Sequence, residues 1–270
     1  MKKIIFEASN VMKEINGHVV LQNVSFKLHE NESVAIRGQN GSGKSTLLKL
    51  LAGIYEPSSG KILRNGNRIG YVPEHFPENL RFKLKEYLLL TASFHGISST
   101  QAEKELLEYI HLFEIESFMD VPLKRCSKGT KQKVGILQAI LTKPDILLLD
   151  EPLTGLDATS QQSLIAILEK LKKQMTIIFT THEDLLVDTL ANQIVYVKDG
   201  SILVQKETTS IHRKVKVKFP NKAIFNELDM IEIYFEEDTA LITVELEKSD
   251  LLLLDLLNKN CSVLEVKERK

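Results

Sequence analysis

Residues 38–46 read Gly38-Gln39-Asn40-Gly41-Ser42-Gly43-Lys44-Ser45-Thr46. Glycines spaced in this way let a backbone curl until successive N–H groups point inward at anionic oxygens. The preceding SVAIR reads as a buried strand, and the following TLLKLLAGI has helical spacing up to Gly53. In that strand–loop–helix context the helix adds its positive end to the loop. Lys44 can then reach β- and γ-phosphates, and the Ser45 hydroxyl can ligate Mg²⁺. The chemistry implied is that of a nucleoside triphosphate site.

A second acidic element follows the apolar run Ile146-Leu147-Leu148-Leu149. A strand buried on both faces delivers Asp150 to a sheet edge, where its carboxylate can hold Mg²⁺ through water. Glu151, the next residue, is placed to polarise an attacking water as a general base. His182 follows the strand-like MTIIFTT and is a candidate contact to the γ-phosphate that helps orient Glu151 and the water.

These side chains need a scaffold of strands and helices. Strands are expected at 4–8, 19–28, 33–37, 69–73 and 145–150, with MTIIFTT as a further buried strand. EPSSGKI reads as turn chemistry, and 82–138 as helical. Within that stretch Thr100 and Glu103 fit a capping box, with Ala102, Leu106, Leu107 and Ile110 on one apolar face. Residues 164–171 mark a further amphipathic helix, and Asp199-Gly200 the turn of a hairpin. Strand–helix alternation with apolar strands predicts an α/β domain with a mainly parallel core sheet.

The texture changes near residue 208. Strands at 215–219, 231–235, 241–246 and 262–266 alternate with helices at 221–228 and 250–257, the second capped by Ser249. That β-α-β-β-α-β order predicts a small split βαβ unit over 209–270. Lys214, Lys216 and Lys218 alternate on one strand face and read as a solvated face.

The 270 residues carry 35 Lys plus Arg against 36 Asp plus Glu, a net charge of −1. No basic excess points to nucleic acid. No apolar run approaches the ~20 residues of a membrane span, and MKKIIFEASN has no apolar core of signal-peptide length. The expectation is a cytoplasmic protein without direct membrane insertion. Cys126 and Cys261 make neither a disulfide framework nor a metal set.

The motifs, taken together and in order, resemble those of ABC-type ATPases. Cys126-Ser127-Lys128-Gly129-Thr130-Lys131-Gln132 is similar to the family's signature motif. Gly155-Leu156-Asp157 resembles its D-loop, Thr181-His182 its H-loop, and Tyr71-Val72-Pro73-Glu74 occupies its Q-loop. The resemblance covers residues 4–205. It implies a P-loop NTPase domain over 1–208, with a mainly parallel core sheet, an antiparallel β subdomain and a helical subdomain at about 78–138. It further implies a homodimer, or pseudo-dimer, around two ATP molecules. Gly38, Asn40, Gly41, Ser42, Gly43, Lys44, Ser45 and Thr46 would hold phosphates and Mg²⁺ on one subunit. Ser127 and Gly129 of the other would cap the γ-phosphate. Ser45, Glu74 and Asp150 form the implied metal set.

The sequence departs from the family pattern in four ways. Ile15 stands where the family places an aromatic residue under the adenine. Glu74 replaces the usual Gln, and C-S-K-G-T replaces L-S-G-G-Q. Both of these resemble a branch of bacterial exporter-type subunits. The segment after 208 has no counterpart among the core motifs. The resemblance implies an ATP-hydrolysing subunit that energises a separately encoded multi-span permease, as an exporter, from the inner face of the membrane. A soluble ABC ATPase of translation or DNA maintenance is the alternative. It is disfavoured because there is one phosphate loop and no sustained heptad. A P-loop kinase or GTPase fits less well, because no guanine-specifying motif is present.

Overall fold

The computed structural model describes residues 3–65, 68–206, 212–228, 230, 232–236 and 238–269. The chain divides into two compact units, Met1–Lys206 and Glu207–Lys270. The boundary expected after residue 208 lies outside the described residues.

In chain order the first unit contains β1 (Ile4–Ile15), β2 (His18–His29), β3 (Ser33–Arg37), α1 (Lys44–Ala52), β4 (Ser59–Arg64) and β5 (Ile69–Val72). Then come α2 (Leu84–Phe94), α3 (Ser99–Phe113), α4 (Lys128–Ile140), β6 (Ile146–Leu149) and α5 (Ala158–Leu171). It closes with β7 (Thr176–Thr180), α6 (Asp184–Leu190), β8 (Gln193–Lys198) and β9 (Ser201–Lys206). Six strands form one sheet in the order β5-β6-β7-β3-β8-β9. All of its pairs are parallel except β8–β9. A separate antiparallel sheet has the order β2-β1-β4.

Side chains alternate across a strand, so β6 and β7 feed two different cores. Ile146, Leu148 and Ile178 face α1 and the antiparallel sheet. Leu147, Leu149, Ile177 and Phe179 face the layer that contains α4, α5 and α6. Every residue of β6 is buried, as an unbroken apolar run requires.

Four local expectations are corrected. β1 and β2 are each 12 residues long. Asn16 (φ 52°) and Gly17 (φ 80°) join them as a two-residue turn of the type hairpins prefer. EPSSGKI is only partly turn, because its second half enters β4. Gly60 has φ 80°, and a Cβ there would overlap the Asn10 carbonyl oxygen, so only glycine lets β4 close on β1. The cap of α3 is Ser98, whose hydroxyl accepts from the Gln101 N–H, not the pair Thr100–Glu103. Glu103 instead pairs with Lys85 at 2.8 Å. Ala102 and Leu106 are buried as expected, but Leu107 is exposed.

The second unit contains β10 (His212–Lys218), β11 (Glu232–Glu236), β12 (Thr239–Glu245), α7 (Leu246–Asn258) and β13 (Ser262–Arg269). Its antiparallel sheet has the order β11-β12-β10-β13, the strand order of a split βαβ. The segment expected as a helix at 221–228 is a single 3₁₀ stretch, Lys222–Glu227. Ile231, placed in a strand by the sequence, lies outside the described residues. α7 begins at Leu246, so Ser249 is not its cap; the Ser249 hydroxyl is buried and accepts from Arg213. Val215, Val217, Ile242, Val244, Leu252 and Leu256 make this unit's own core. Lys216 pairs with Glu236 at 3.0 Å and Lys218 with Asp238 at 2.6 Å, so two of the three lysines in the row are paired with acids.

Candidate functional site

Four parallel strands deliver the candidate residues from their carboxyl ends, where open α/β sheets place their ligands. β3 leads into the loop 38–43 and α1. β5 leads to Glu74, β6 to Asp150 and Glu151, and β7 to Thr180, Thr181 and His182. Gly41 (φ 78°) and Gly43 (φ 106°) carry the curl of the loop. A cleft of about 490 Å³ lies there, with Asn40, Gly41, Gly43, Lys44, Ser45, Thr46, Glu74, Glu151 and His182 on its wall.

Lys44 is buried, and its ammonium donates to the carbonyls of Gly38 (3.0 Å) and Gln39 (3.3 Å). It also stands 2.9 Å from Nε2 of His182. Glu151 Oε1 lies 3.9 Å from Lys44 Nζ and 3.4 Å from His182 Nε2.

Asp150 is 3% exposed and is solvated by hydroxyls instead of water. Its Oδ1 accepts from Ser45 Oγ at 3.0 Å and from Thr180 Oγ1 at 2.8 Å. Its Oδ2 accepts from the Tyr71 phenol at 3.4 Å. Burial, followed by the charge of Asp150, pushes the Tyr71 phenol well above its ordinary range, so Tyr71 stays a donor. Glu151 sits at φ 46°, a left-handed backbone that residues with a Cβ rarely adopt. Its N–H donates to Thr180 Oγ1 at 2.7 Å. Burial raises its carboxyl above the ordinary value, against the opposing pull of His182 and Lys44.

The residues present fit a Mg²⁺ ion. Such an ion keeps several waters and substrate oxygens and asks the protein for one or two hard oxygen donors. Ser45 Oγ and Asp150 Oδ1 converge at 3.0 Å, and Glu74 lines the same cleft.

Not every expected residue meets this cleft. Gly38 and Ser42 line an adjoining cleft of about 790 Å³ beside the β8–β9 turn. Ile15 is half-buried at the hairpin end, paired with His18, and is on the wall of neither cleft; Val20 is on both. Ser127 caps α4, accepting from the Thr130 N–H at 3.1 Å, and Gly129 packs where a Cβ would come within 2.8 Å of Ser160 Oγ. Neither lines the cleft of its own chain. Val20, Tyr71, Thr154 and Thr180 are site residues beyond the expected set. Thr180 had a visible signal, a hydroxyl at the end of an apolar strand two residues before His182.

Residues 21–154 match the family described as ABC transporter. The chain is 33% identical over 199 residues to an uncharacterized ABC transporter ATP-binding protein, YxlF, of Bacillus subtilis (strain 168), covering 72% of this chain and 68% of that protein. It is 35% identical over 189 residues to the zinc import ATP-binding protein ZnuC of Rickettsia bellii, with 68% and 78% covered. It is 28% identical over 250 residues to the Nod factor export ATP-binding protein I of Cupriavidus metallidurans, with 86% and 78% covered. Among solved structures, a dimeric ATP-binding cassette in a post-hydrolysis state bound to ADP and Pi superposes with TM-score 0.67. That match is 26% identical and covers 75% of this chain and 99% of that one. The chain belongs to the ATP-binding subunits of ABC transporters and is an ABC ATPase. Its relatives include importers as well as an exporter. Among the described residues no helix is long and apolar enough to cross a membrane.

Proposed function

We propose that two copies of this chain hydrolyse Mg-ATP at shared sites and thereby drive a separately encoded multi-span permease in the export direction. The observation that carries this reading is the division of the motifs. Lys44, Ser45, Glu151 and His182 line one cleft, while Ser127 and Gly129 of the same chain stand away from it. A second copy can supply that missing cap, with the N-terminus of α4 aimed at the γ-phosphate.

In this reading the loop 38–46 cradles the phosphates, and Lys44 moves from its backbone carbonyls to the β/γ oxygens. Ser45 and Asp150 would hold Mg²⁺, with Glu74 on the same cleft wall as a further oxygen donor. The bound ion supplies positive charge to the phosphate oxygens. Glu151 takes a proton from water as the water oxygen bonds to the γ-phosphorus. The bond from that phosphorus to the bridging oxygen breaks, leaving ADP and phosphate. Its raised pKa suits a base. The base of ATP packs against the β1–β2 hairpin, where Val20 on the cleft wall offers aliphatic contact without ring stacking and Ile15 stands nearby at the hairpin end. Export is supported by Glu74 and Lys128, which resemble the exporter-type branch. The protein would lie on the cytoplasmic face of the membrane, held there by the permease.

Affinity purification from detergent-solubilised membranes tests the proposal. A multi-span protein should co-purify with the tagged chain and stimulate its phosphate release. Recovery with ribosomes or DNA in place of a membrane protein would overturn it.

A further inference from the structure

We propose that Thr180 is a positioning residue for ATP hydrolysis, one hydroxyl that ties the backbone of Glu151 to the carboxylate of Asp150. The inference rests on the reading of Glu151 as the base and adds how that base is held.

Thr180 ends β7, is fully buried, and pairs in register with Ile36 on β3. Its side chain therefore cannot reach solvent and must satisfy its hydroxyl internally. A hydroxyl has one proton to give and lone pairs to accept with. An ionised Asp150 accepts only, so the Thr180 proton goes to Asp150 Oδ1, at 2.8 Å. The lone pair then takes the Glu151 N–H, at 2.7 Å. The directions are forced by the partners.

Each partner needs the contact for its own reason. Glu151 holds φ 46°, a conformation that persists only where the surroundings over-determine it. The bond from its N–H is a fixed anchor at that residue. Asp150 also accepts from Ser45 at the same Oδ1, so the hydroxyl joins the phosphate loop to the base through one oxygen. The path runs Ser45, Asp150, Thr180, Glu151. β-Branching restricts the χ1 of threonine, which keeps the hydroxyl on its two partners. A shift of Ser45 and Asp150 as they meet the cation is thus handed to the backbone that aims the Glu151 carboxylate. Tyr71 donates to Asp150 as well, but the Glu151 N–H goes to Thr180, so Tyr71 does not share this role.

The test compares Thr180→Val, Thr180→Ser and Glu151→Gln in the full-length chain, with kcat and KM for Mg-ATP from phosphate release. Valine keeps the shape and removes the hydroxyl. Misplacement of a reacting group by about 1 Å costs roughly 10²-fold, so kcat should fall by that order with KM unchanged. Serine restores the hydroxyl and should recover most of the rate, which mere loss of packing would not allow. If the valine variant does not fold, Thr180→Cys puts a thiol, a poor acceptor, where the hydroxyl stands and should show the same kcat loss. A valine or cysteine variant at the parental kcat, or a serine variant as slow as valine, overturns the inference. Glu151→Gln separates the two levels. A fast Gln variant removes the base assignment itself, whereas a dead Gln variant beside a fast Val variant removes only the role of Thr180.

Discussion

Replacing Glu151 by Gln changes one atom's identity and one charge. The backbone at φ 46° and its N–H bond to Thr180 are kept, and the amide oxygen can take the place of Oε1. What disappears is the ability to accept a proton from water. Loss of a general base costs about 10²–10⁴-fold, or about 3–5.5 kcal/mol of barrier at 1.36 kcal/mol per decade. Binding moves the other way, because a carboxylate 3.9 Å from Lys44 competes with the γ-phosphate for that ammonium. The variant should hold ATP and persist as a dimer in size-exclusion chromatography with Mg-ATP, while the parent runs mostly as monomer. Adding Ser127→Arg should return it to monomer, since a bulky side chain obstructs the cap supplied in trans. The fold responds with a defined sign. Burial raises the Glu151 pKa in the folded chain, so ionising it near neutral pH costs stability, and this cost vanishes below its unfolded value. Glu151→Gln should therefore melt higher than the parent at pH 7, with the gap closing as the pH falls toward about 4.3. By the same direction, parental activity is lost on acidification at a pH above the ordinary carboxylate range. Phosphate release at the parental rate by Glu151→Gln would refute the base assignment. A double variant that still dimerises would refute the shared site.

Three further outcomes are expected. Ile15→Tyr adds a ring at the hairpin end, where stacking worth roughly 0.5–1.5 kcal/mol tightens ATP binding about two- to tenfold; an unchanged Kd assigns the base to Val20 alone. Gly60→Ala puts a Cβ onto the Asn10 carbonyl at φ 80° and should lower stability by about 1–3 kcal/mol, read as a drop in Tm. Removal of residues 207–270 should leave a folded ATPase by circular dichroism and phosphate release, because the cleft and two cores lie within the first unit.

The position of the candidate site was legible wherever a motif and a strand end coincide. The phosphate loop, Asp150, Glu151 and His182 are each announced by an apolar run that stops at a polar residue, and the structure gathers them at one sheet edge. Less legible was whatever depends on a partner remote in sequence. Gly60 looked like turn chemistry because its reason, the Asn10 carbonyl, lies fifty residues earlier. Thr100 and Glu103 satisfied a capping pattern that Ser98 and Gln101 satisfy two residues sooner, and Lys85 then claims Glu103. The hydroxyl of Thr180 was visible at a strand end, but not its role, because its two partners, Asp150 and Glu151, lie just beyond β6 and about thirty residues earlier. The short helix expected at 221–228 tightened to 3₁₀, a segment too short for helix propensity to decide its form.

The central strands that carry the site have a consequence for how the molecule moves. β6 is flanked by β5 and β7, β3 by β7 and β8, and no side chain of β6 or β7 reaches solvent. Amides in such strands exchange with solvent only through the largest openings of a domain. The edge that carries the candidate site therefore stands on the slowest-exchanging part of the unit. Local breathing is left to peripheral segments with exposed side chains, such as α3 with its outward Leu107. Hydrogen–deuterium exchange should then show a gradient along the chain, with protection greatest at 147–149 and 177–179 and falling across 84–113, so that turnover proceeds around a rigid floor.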